Sequence, residues 1–202
     1  MAAFDHLAVS AATLEEGAVA VEQALGLPLG PGGVHPFMGT HNRLLGLGEG
    51  EYLEVIAIDP AAPKPPHPRW FRLDRFSGPP RLTNWIVRTD DLEAALAAAP
   101  AGAGRAVDLE RGSYRWRMGV PTDGCLPYDD AFPALIEWTG ALHPAAALPE
   151  LGCRLVRLEI AHPDAAALRA ALPCADPRMI VVPGKRALRA TIATPHGERH
   201  LE

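Results

Sequence analysis

The chain has 202 residues, of which 48% are hydrophobic and 21% charged, and its formal net charge is −5. This length and composition suit one large domain or two small ones with a buried core. The acidic balance argues against nucleic-acid binding, because it offers no basic field for phosphate groups. No run of about 18 apolar residues is present, so no membrane span is predicted.

The cysteines and the first residues indicate the cellular compartment. Cys125, Cys153 and Cys174 are odd in number and lack C-x-x-C spacing, which argues against a disulfide framework and a thiolate zinc site. No basic region followed by an apolar run opens the chain, so no signal peptide is predicted. We expect a cytoplasmic protein that binds a small molecule.

The first 60 residues predict a strand, a helix and further strands. Residues 4–9 form a short apolar run. Thr13 and Glu16 form a capping box, and apolar residues then recur at helical spacing as far as Gly26, which predicts a helix between these positions. Two further strands are predicted over residues 42–47 and 52–58.

Residues 59–80 contain seven prolines and cannot continue a sheet, because proline lacks the amide N–H that a ladder needs. We therefore predict a linker or covering loop over residues 61–80. Its part from Arg69 to Leu73 is too aromatic for a solvated tether, so we expect that part to pack against the domain.

The pattern then restarts. A strand is predicted over residues 82–88, a helix follows a second cap at Asp90, and Ala134–Trp138 closes the unit. The strand–helix–strands pattern thus occurs twice in full, over residues 1–60 and 81–150, and once in a reduced form. The reduced unit, residues 151–202, has a strand, a helix and final strands over 179–182 and 187–194. One such unit cannot bury its own sheet face, so two units are expected to pair.

Carboxylates inside apolar strands are the strongest chemical signal. Overlaying the two units puts His6 opposite Asn84 and, loosely, Glu54 opposite Glu137. A buried carboxylate is costly unless it is paired or binds a cation. We expect His6, Glu54 and Glu137 to converge in one pocket. The alternatives are that Glu54 lies at a strand edge or pairs with Arg43, and that His6 is an ordinary core or edge histidine.

Several segments together resemble the glyoxalase-like branch of the vicinal oxygen chelate superfamily. The segments are Phe4–Val9, Gly39–Asn42, Tyr52–Ala57, Arg69–Phe71 and Trp85–Thr89, and the resemblance covers roughly residues 4–140. It implies an α+β fold in which paired βαβββ modules form a cupped open barrel, like glyoxalase and dihydroxybiphenyl dioxygenase, with the reduced unit added at the C-terminus.

The resemblance also implies one divalent metal ion, held by the first and last strands of each module. The matching positions are His6, Glu54, Asn84 and Glu137. Asn84 departs from the pattern, because an amide is a poor transition-metal ligand. The implied ligands are therefore His6, Glu54 and Glu137, a set that suits Zn, Mn, Ni or Fe without selecting among them.

Other residues are candidates for catalysis or substrate binding. His41 is expected near the cup, either as a base or substrate contact or as a histidine that bonds backbone where a strand begins. Glu54, Glu137 and His41 are thus the catalytic candidates. The residues expected to contact substrate are Arg69, Trp70, Asn84, Trp85, Arg115 and Trp116.

Two of these signals have plain structural alternatives. The alternation of aromatic and basic residues around Arg115 and Trp116 predicts either the rim of a pocket for an anion or a strand with one packed and one solvated face. His35, His67 and His143 each adjoin a proline, so we expect them to be solvated loop residues.

Two functions remain open on the sequence. The first is a metal-assisted lyase, isomerase or dioxygenase acting on a small oxygenated, anionic substrate, with the ion as Lewis acid and a carboxylate moving the proton. The second is a metal-free binding or sequestering protein that uses the same cup. In either case residues 151–202 cover a sheet edge or form the face of a homodimer.

Overall fold

The computed structural model describes residues 2–202. The first module contains β1 (Ala3–Ser10), α1 (Leu14–Leu25), β2 (Val34–His35), β3 (Thr40–Gly46) and β4 (Tyr52–Ile58). A 3-10 segment (Trp70–Arg75) follows. The second module contains β5 (Arg81–Arg88), α2 (Leu92–Ala98), β6 (Arg105–Arg111), β7 (Tyr114–Val120), α3 (Pro127–Asp130) and β8 (Ala134–Trp138). The remaining elements are α4 (Pro144–Ala147), β9 (Arg154–His162), α5 (Ala165–Ala171), β10 (Met179–Pro183), β11 (Ala187–Thr194) and β12 (Gly197–Leu201).

Both main helices begin at a side-chain cap. The Thr13 hydroxyl accepts the Glu16 N–H, and Gly26 ends α1 in the left-handed conformation. Helix α2 begins one residue later than the sequence indicated, because Asp91 rather than Asp90 is its cap and accepts the Ala94 N–H. The two helices thus start where short polar side chains satisfy free backbone amides.

Strands β1–β8 form one sheet in the order β2-β3-β4-β1-β5-β8-β7-β6. Strand β1 runs parallel to β4, and β5 runs parallel to β8; β1 and β5 pair antiparallel at the centre. The two halves of the sheet therefore repeat one pattern about a central axis. The α+β cup of paired modules predicted from the sequence is confirmed.

The concave face of this sheet carries a second, smaller apolar cluster that includes the 3-10 segment. Trp70, Phe71 and Leu73 are buried against Ile56 of β4 and Ile86 of β5. The packing expected for residues 69–73 is therefore present. It closes part of the cup and so positions the site described below.

The C-terminal unit forms a four-stranded sheet in the order β10-β9-β11-β12. Its last strand, β12, is absent from the sequence-based description. Glu202 joins the two sheets, since its carbonyl accepts the Leu82 N–H at 2.8 Å. Buried residues from both sheets, such as Val87 and Leu158, belong to one continuous core. This core lies on the convex side, so the concave side is left for the site.

Candidate active site

The concave face of the eight-stranded sheet holds a cavity of about 370 Å³, counting the mouth that opens to solvent. Its polar wall comes mainly from the first module, and its apolar wall comes from the second module and the 3-10 segment. The lining residues are His6, His35, Asn42, Tyr52, Glu54, Trp70, Phe71, Arg111, Trp116, Met118, Ile136 and Trp138.

Glu54 is the carboxylate of this cavity. It lies on β4 beside Ala8 of β1, and its side chain is only 7% exposed. The Asn42 side-chain N–H donates to Oε1 at 2.5 Å. Within residues 2–202, Oε2 makes no hydrogen bond and lies 3.8 Å from His6 Nε2. One oxygen of Glu54 is thus held in place and the other remains able to accept a proton.

A β-bulge places Asp5 behind His6. The β1–β5 register shifts between Phe4 and His6, so Asp5 is the extra residue. Its Oδ1 lies 2.6 Å from His6 Nδ1. Burial alone would raise the pKa of Asp5, but hydrogen bonds from His143 and His6 outweigh it and hold that pKa well below its usual range. The ionised Asp5 accepts the Nδ1 proton, so His6 turns Nε2 toward Glu54.

Asn42 connects Glu54 to a cation. Its Oδ1 accepts the Gly33 N–H at 2.8 Å and an Arg111 Nη1–H at 2.7 Å. These two donors fix the orientation of the amide, so its N–H₂ group must face Glu54. Arg111 is itself buried and lines the cavity, which places a guanidinium beside the carboxylate without a direct salt bridge.

His35 is a neutral neighbour of this network. Its Nδ1 bonds the Thr40 hydroxyl at 3.0 Å, and its Nε2 lies 3.3 Å from the Asn42 amide nitrogen. Burial, together with the positive charge of Arg111, lowers the pKa of His35 to about 3. His35 therefore stays uncharged at neutral pH and accepts rather than donates at Nε2.

Aromatic rings form the remaining walls. Tyr52 stacks on His6 with ring centroids 4.3 Å apart, and Trp70 meets His35 edge-on. Trp116 and Trp138 pack against each other on the second module. Burial raises the pKa of Tyr52 well above its usual value, so its hydroxyl stays protonated. The cavity is thus a small chamber whose polar wall contains one carboxylate, two imidazoles and one guanidinium.

The family model described as the glyoxalase-like domain matches residues 4–175, which include both modules and this cavity. The chain belongs to the glyoxalase-like domain family. The glyoxalase-like resemblance found in the sequence is thus confirmed. No curated protein matches the chain.

Several solved structures are similar to this chain at low sequence identity. A hypothetical protein from Staphylococcus aureus is 14% identical, with 92% of this chain and 87% of that chain covered and a TM-score of 0.61. Methylmalonyl-CoA epimerase from Mycobacterium tuberculosis is 17% identical, with 67% and 85% covered and a TM-score of 0.43. A Streptomyces coelicolor methylmalonyl-CoA epimerase variant is 16% identical, with 68% and 97% covered and a TM-score of 0.43.

The glyoxalase-like repeat does not bring Glu137 to Glu54. Ala8 pairs with Glu54, and Ile86, which overlays Ala8, pairs with Ala134. The counterpart of Glu54 is therefore Ala134, and the overlay of Glu54 on Glu137 is wrong by an odd number of residues. Because strand side chains alternate, an odd shift turns Glu137 to the opposite face.

Glu137 has a structural environment on the convex face. Its Oε2 accepts the Leu92 N–H at 3.2 Å, at the start of α2, and lies 3.4 Å from Arg117 Nη1. A carboxylate at a helix N-terminus is favourable because the free amides there carry partial positive charge. Of the three convergent residues expected, only His6 and Glu54 meet.

His41 and Arg115 also lie outside the cavity. His41 alternates with Asn42 along β3, so it faces the other side, where it borders a surface groove beside α1. Arg115 is half-exposed and pairs with Glu110 at 3.2 Å, whereas the adjacent Trp116 faces the cavity. The strand with one packed and one solvated face is thus the arrangement present here.

Three of the remaining expected contact residues lie elsewhere. Arg69 is buried in the loop, where it donates to the Met38 carbonyl and pairs with Asp74. Trp85 belongs to the convex core and donates to the Ala131 carbonyl. Asn84 is buried at the other end of the cup. Only Trp70 and Trp116 of the six line the cavity.

The donor set does not fit the metal ion that the resemblance implies. Among residues 2–202, no three His, Cys, Asp or Glu side chains are grouped so as to hold a metal ion. His6 and Glu54 supply two donors. His35 Nε2 lies 3.9 Å from Glu54 Oε1 but faces the Asn42 amide nitrogen at 3.3 Å, and Glu54 is linked through Asn42 to the cation of Arg111. Catalytic divalent ions are usually held by three protein ligands. We therefore derive no step through a metal.

Five polar residues in or behind the cavity wall were missed from the sequence. His35, expected to be solvated beside Pro36, is buried in the cavity wall. Asp5, Asn42 and Arg111 depend on tertiary contacts that no local pattern reveals. His143, also expected to be solvated, lies 3.1 Å from Asp5 Oδ2. Asn42 had no clear signal of its own, because it lies in the polar first half of β3, between His41 and Arg43.

Proposed function

We propose that this glyoxalase-like protein is an enzyme that transfers a proton at a carbon atom of a small, oxygenated, anionic substrate. The observation that carries the proposal is the buried Glu54 carboxylate, with Oε1 held by Asn42 and Oε2 facing the cavity. A fixed carboxylate in a water-poor chamber is suited to act as a general base.

The proposed step uses the polar wall alone. Glu54 Oε2 takes a proton from a carbon next to a carbonyl group, and the C–H electron pair moves to the carbonyl oxygen as an enolate forms. Arg111 stabilises the negative charge on that oxygen or on a substrate carboxylate. Return of the proton from Glu54 to that carbon re-forms the carbonyl group and restores the carboxylate.

The chamber limits the substrate. The volume of about 370 Å³ includes open solvent at the mouth, so the enclosed part of the cavity admits only a small substrate. The stacked Tyr52 and the edges of Trp70 and Trp116 suit a short carbon skeleton. Arg111 is the one guanidinium in the cavity wall, so it suits one anionic group of the substrate.

Two competing functions are separable by experiment. The first is the metal-assisted lyase, isomerase or dioxygenase expected from the sequence; it is favoured by the 2.6 Å contact from Asp5 to His6 Nδ1, an arrangement common behind metal-binding histidines. The second is a metal-free binding protein, favoured by the aromatic walls.

The test follows solvent deuterium by proton NMR. The chain is incubated in D₂O with a panel of small 2-oxo and 2-hydroxy carboxylates, with and without a chelator, and its metal content is measured. Deuterium incorporation that survives chelation supports the proposal. Incorporation that requires one metal per chain supports the metal-assisted reaction. Saturable binding without any incorporation indicates a binding protein and contradicts the proposal.

The remaining expectations stay predictions. Among residues 2–202, no helix has the length and apolar character that crossing a membrane requires. The cytoplasmic location and the homodimer face on residues 151–202 are tested by fractionation and by light scattering of the full chain.

A further inference from the structure

The second half of the cup holds a cavity that the proposed reaction does not use. Its volume is about 880 Å³ when the space open to solvent is counted. Asn84 of β5 lies in its wall and is only 1% exposed. Within the described chain, neither its amide nitrogen nor its amide oxygen has a hydrogen-bond partner. Buried amides are nearly always hydrogen-bonded, so the Asn84 side chain points to a ligand.

The repeat explains why this cavity exists. In the antiparallel ladder at the centre of the sheet, Ala8 pairs with Asn84 and His6 pairs with Ile86. Asn84 is therefore the second-module counterpart of His6, and Ala134 replaces Glu54. The second half of the cup keeps the position of a site but has neither its carboxylate nor its imidazole.

Guanidinium groups from two other segments line this cavity in place of the missing carboxylate and imidazole. Arg186, just before β11, reaches across from the C-terminal unit and donates to the backbone carbonyls of Thr83 and Asp130. Its Nε is buried without a partner among residues 2–202. Arg72 lies on the opposite side, with Nε 2.5 Å from Asp130 Oδ2.

The charge balance of the cavity is positive. Four arginines line it (Arg72, Arg75, Arg81 and Arg186), whereas only Asp129 and Asp130 are acidic. Burial lowers the pKa of Arg186, since a desolvated guanidinium lacks the water that would stabilise its charge. An anion beside Arg186 would compensate that loss.

We propose that this cavity binds a small oxyanion, a phosphate or carboxylate group, through Arg186, Arg72 and the Asn84 amide. Guanidinium groups bind both kinds of anion by paired N–H···O bonds. The Asn84 N–H₂ group supplies a further donor, and its oxygen can accept from a protonated anion or a bridging water.

The backbone on both sides of the cavity is held in a conformation that non-glycine residues seldom adopt. Phe71 and Arg72 have φ of 56° and 53°, and Tyr128, Asp129 and Asp130 have φ between 51° and 65°. Phe71 also lines the Glu54 cavity. The oxyanion site thus adjoins the proposed active site but does not depend on its chemistry.

The first test measures anion binding by isothermal titration calorimetry. Inorganic phosphate and, separately, acetate are titrated into the full chain in a chloride buffer, and the tighter of the two identifies the group. We expect Arg186→Gln to weaken this binding roughly tenfold or more. Arg189→Gln is the matched control, because Arg189 lies three residues further along the chain, on β11, and pairs with Glu202 at the surface.

A second variant separates ligand binding from folding. Asn84→Leu keeps the side-chain size but removes the unsatisfied amide. It should weaken anion binding while leaving the melting temperature of the anion-free protein equal to or above that of wild type. The proposal is overturned if the wild type shows no saturable binding of either anion, or if Arg186→Gln binds as tightly as wild type. Neither result depends on proton transfer at Glu54.

Discussion

Asp5 carries a negative charge inside the protein because donors surround it. The indole of Trp138 and the ring of His143 both approach Oδ2, at 3.0 and 3.1 Å, and His6 holds Oδ1. Removing one partner of a buried ion pair of this kind strongly destabilises the folded protein. The orientation of His6 toward Glu54 therefore depends on a residue that never enters the cavity.

Replacing this charge tests that dependence. Asp5→Asn should lower the free energy of unfolding at pH 7 by about 2–4 kcal/mol, because it leaves buried donors poorly paired. The folded-state pKa of Asp5 lies below the unfolded value, so its contribution is present above about pH 4 and is lost as the pH falls further. The difference from wild type should therefore shrink in acid.

Urea denaturation at pH 7 and pH 3 measures the effect. Asp108→Asn is the control, because the Asp108 side chain is 92% exposed and should leave stability nearly unchanged. Equal stability of Asp5→Asn and wild type at pH 7, or a gap that widens in acid, would contradict the account.

The alternation of side chains along β4 correctly predicted that Glu54 shares a face with Tyr52 and Ile56. Alternation could not predict that Asp5 and His6 act together, because neighbours on a regular strand point apart and the bulge is not visible in the sequence. The overlay with Glu137 failed for a related reason, since a small slip in register reverses a strand's faces.

Helix α1 fixes β4 from behind. Gly17 lies where the helix approaches the sheet, and a Cβ there would lie 2.5 Å from Val55 Cγ1 and 2.7 Å from the Ala11 Cβ. Val55 is the immediate neighbour of Glu54, so the distance between the helix and the sheet affects the position of the strand that carries the carboxylate.

Gly17→Ala should therefore destabilise the protein, although alanine is the better helix former by about 1 kcal/mol. We expect a net loss of about 1–3 kcal/mol from overpacking, measured by the urea midpoint. Val19→Ala, at an exposed position of the same helix, should change stability by no more than about 0.5 kcal/mol. A more stable Gly17→Ala protein would show that α1 can move away from the sheet.

The 3-10 segment shows the limit of element prediction. Its aromatic content predicted packing, which the structure confirms for Trp70 and Phe71. The left-handed backbone at Phe71 and Arg72 had no signal, because neither residue favours that region and surrounding contacts impose it.

Across the whole molecule, one apolar core joins the two sheets. Thermal unfolding should therefore be a single cooperative transition. All four tryptophans lie between residues 70 and 138, so their fluorescence reports on the cup, whereas far-ultraviolet circular dichroism reports on the whole chain. The two melting curves should coincide. Circular dichroism loss that precedes the fluorescence change would mean that residues 151–202 unfold separately.

The cup of two modules was predictable because the same order of strands, helix and turns occurs twice in the sequence. The final strand β12 was not predicted, since Gly197–Leu201 is mostly polar and only Leu201 is buried. The site residues were predictable only where the alternation along a single strand decides which way a side chain faces. The contacts that Asp5, Asn42 and Arg111 make behind the cavity, and the asymmetry between the two halves, arise from strand pairing, which local patterns do not encode.

We propose that proton transfer depends on the single carboxylate inside the cup. The direct test compares the rate of deuterium incorporation by wild type, Glu54→Gln and Glu137→Gln with the same substrate. We expect Glu54→Gln to lose about 10²- to 10⁴-fold in rate. Glu137→Gln should keep a rate near wild type, because its carboxylate lies on the opposite face. A wild-type rate in Glu54→Gln, or equal losses in both variants, would contradict the account.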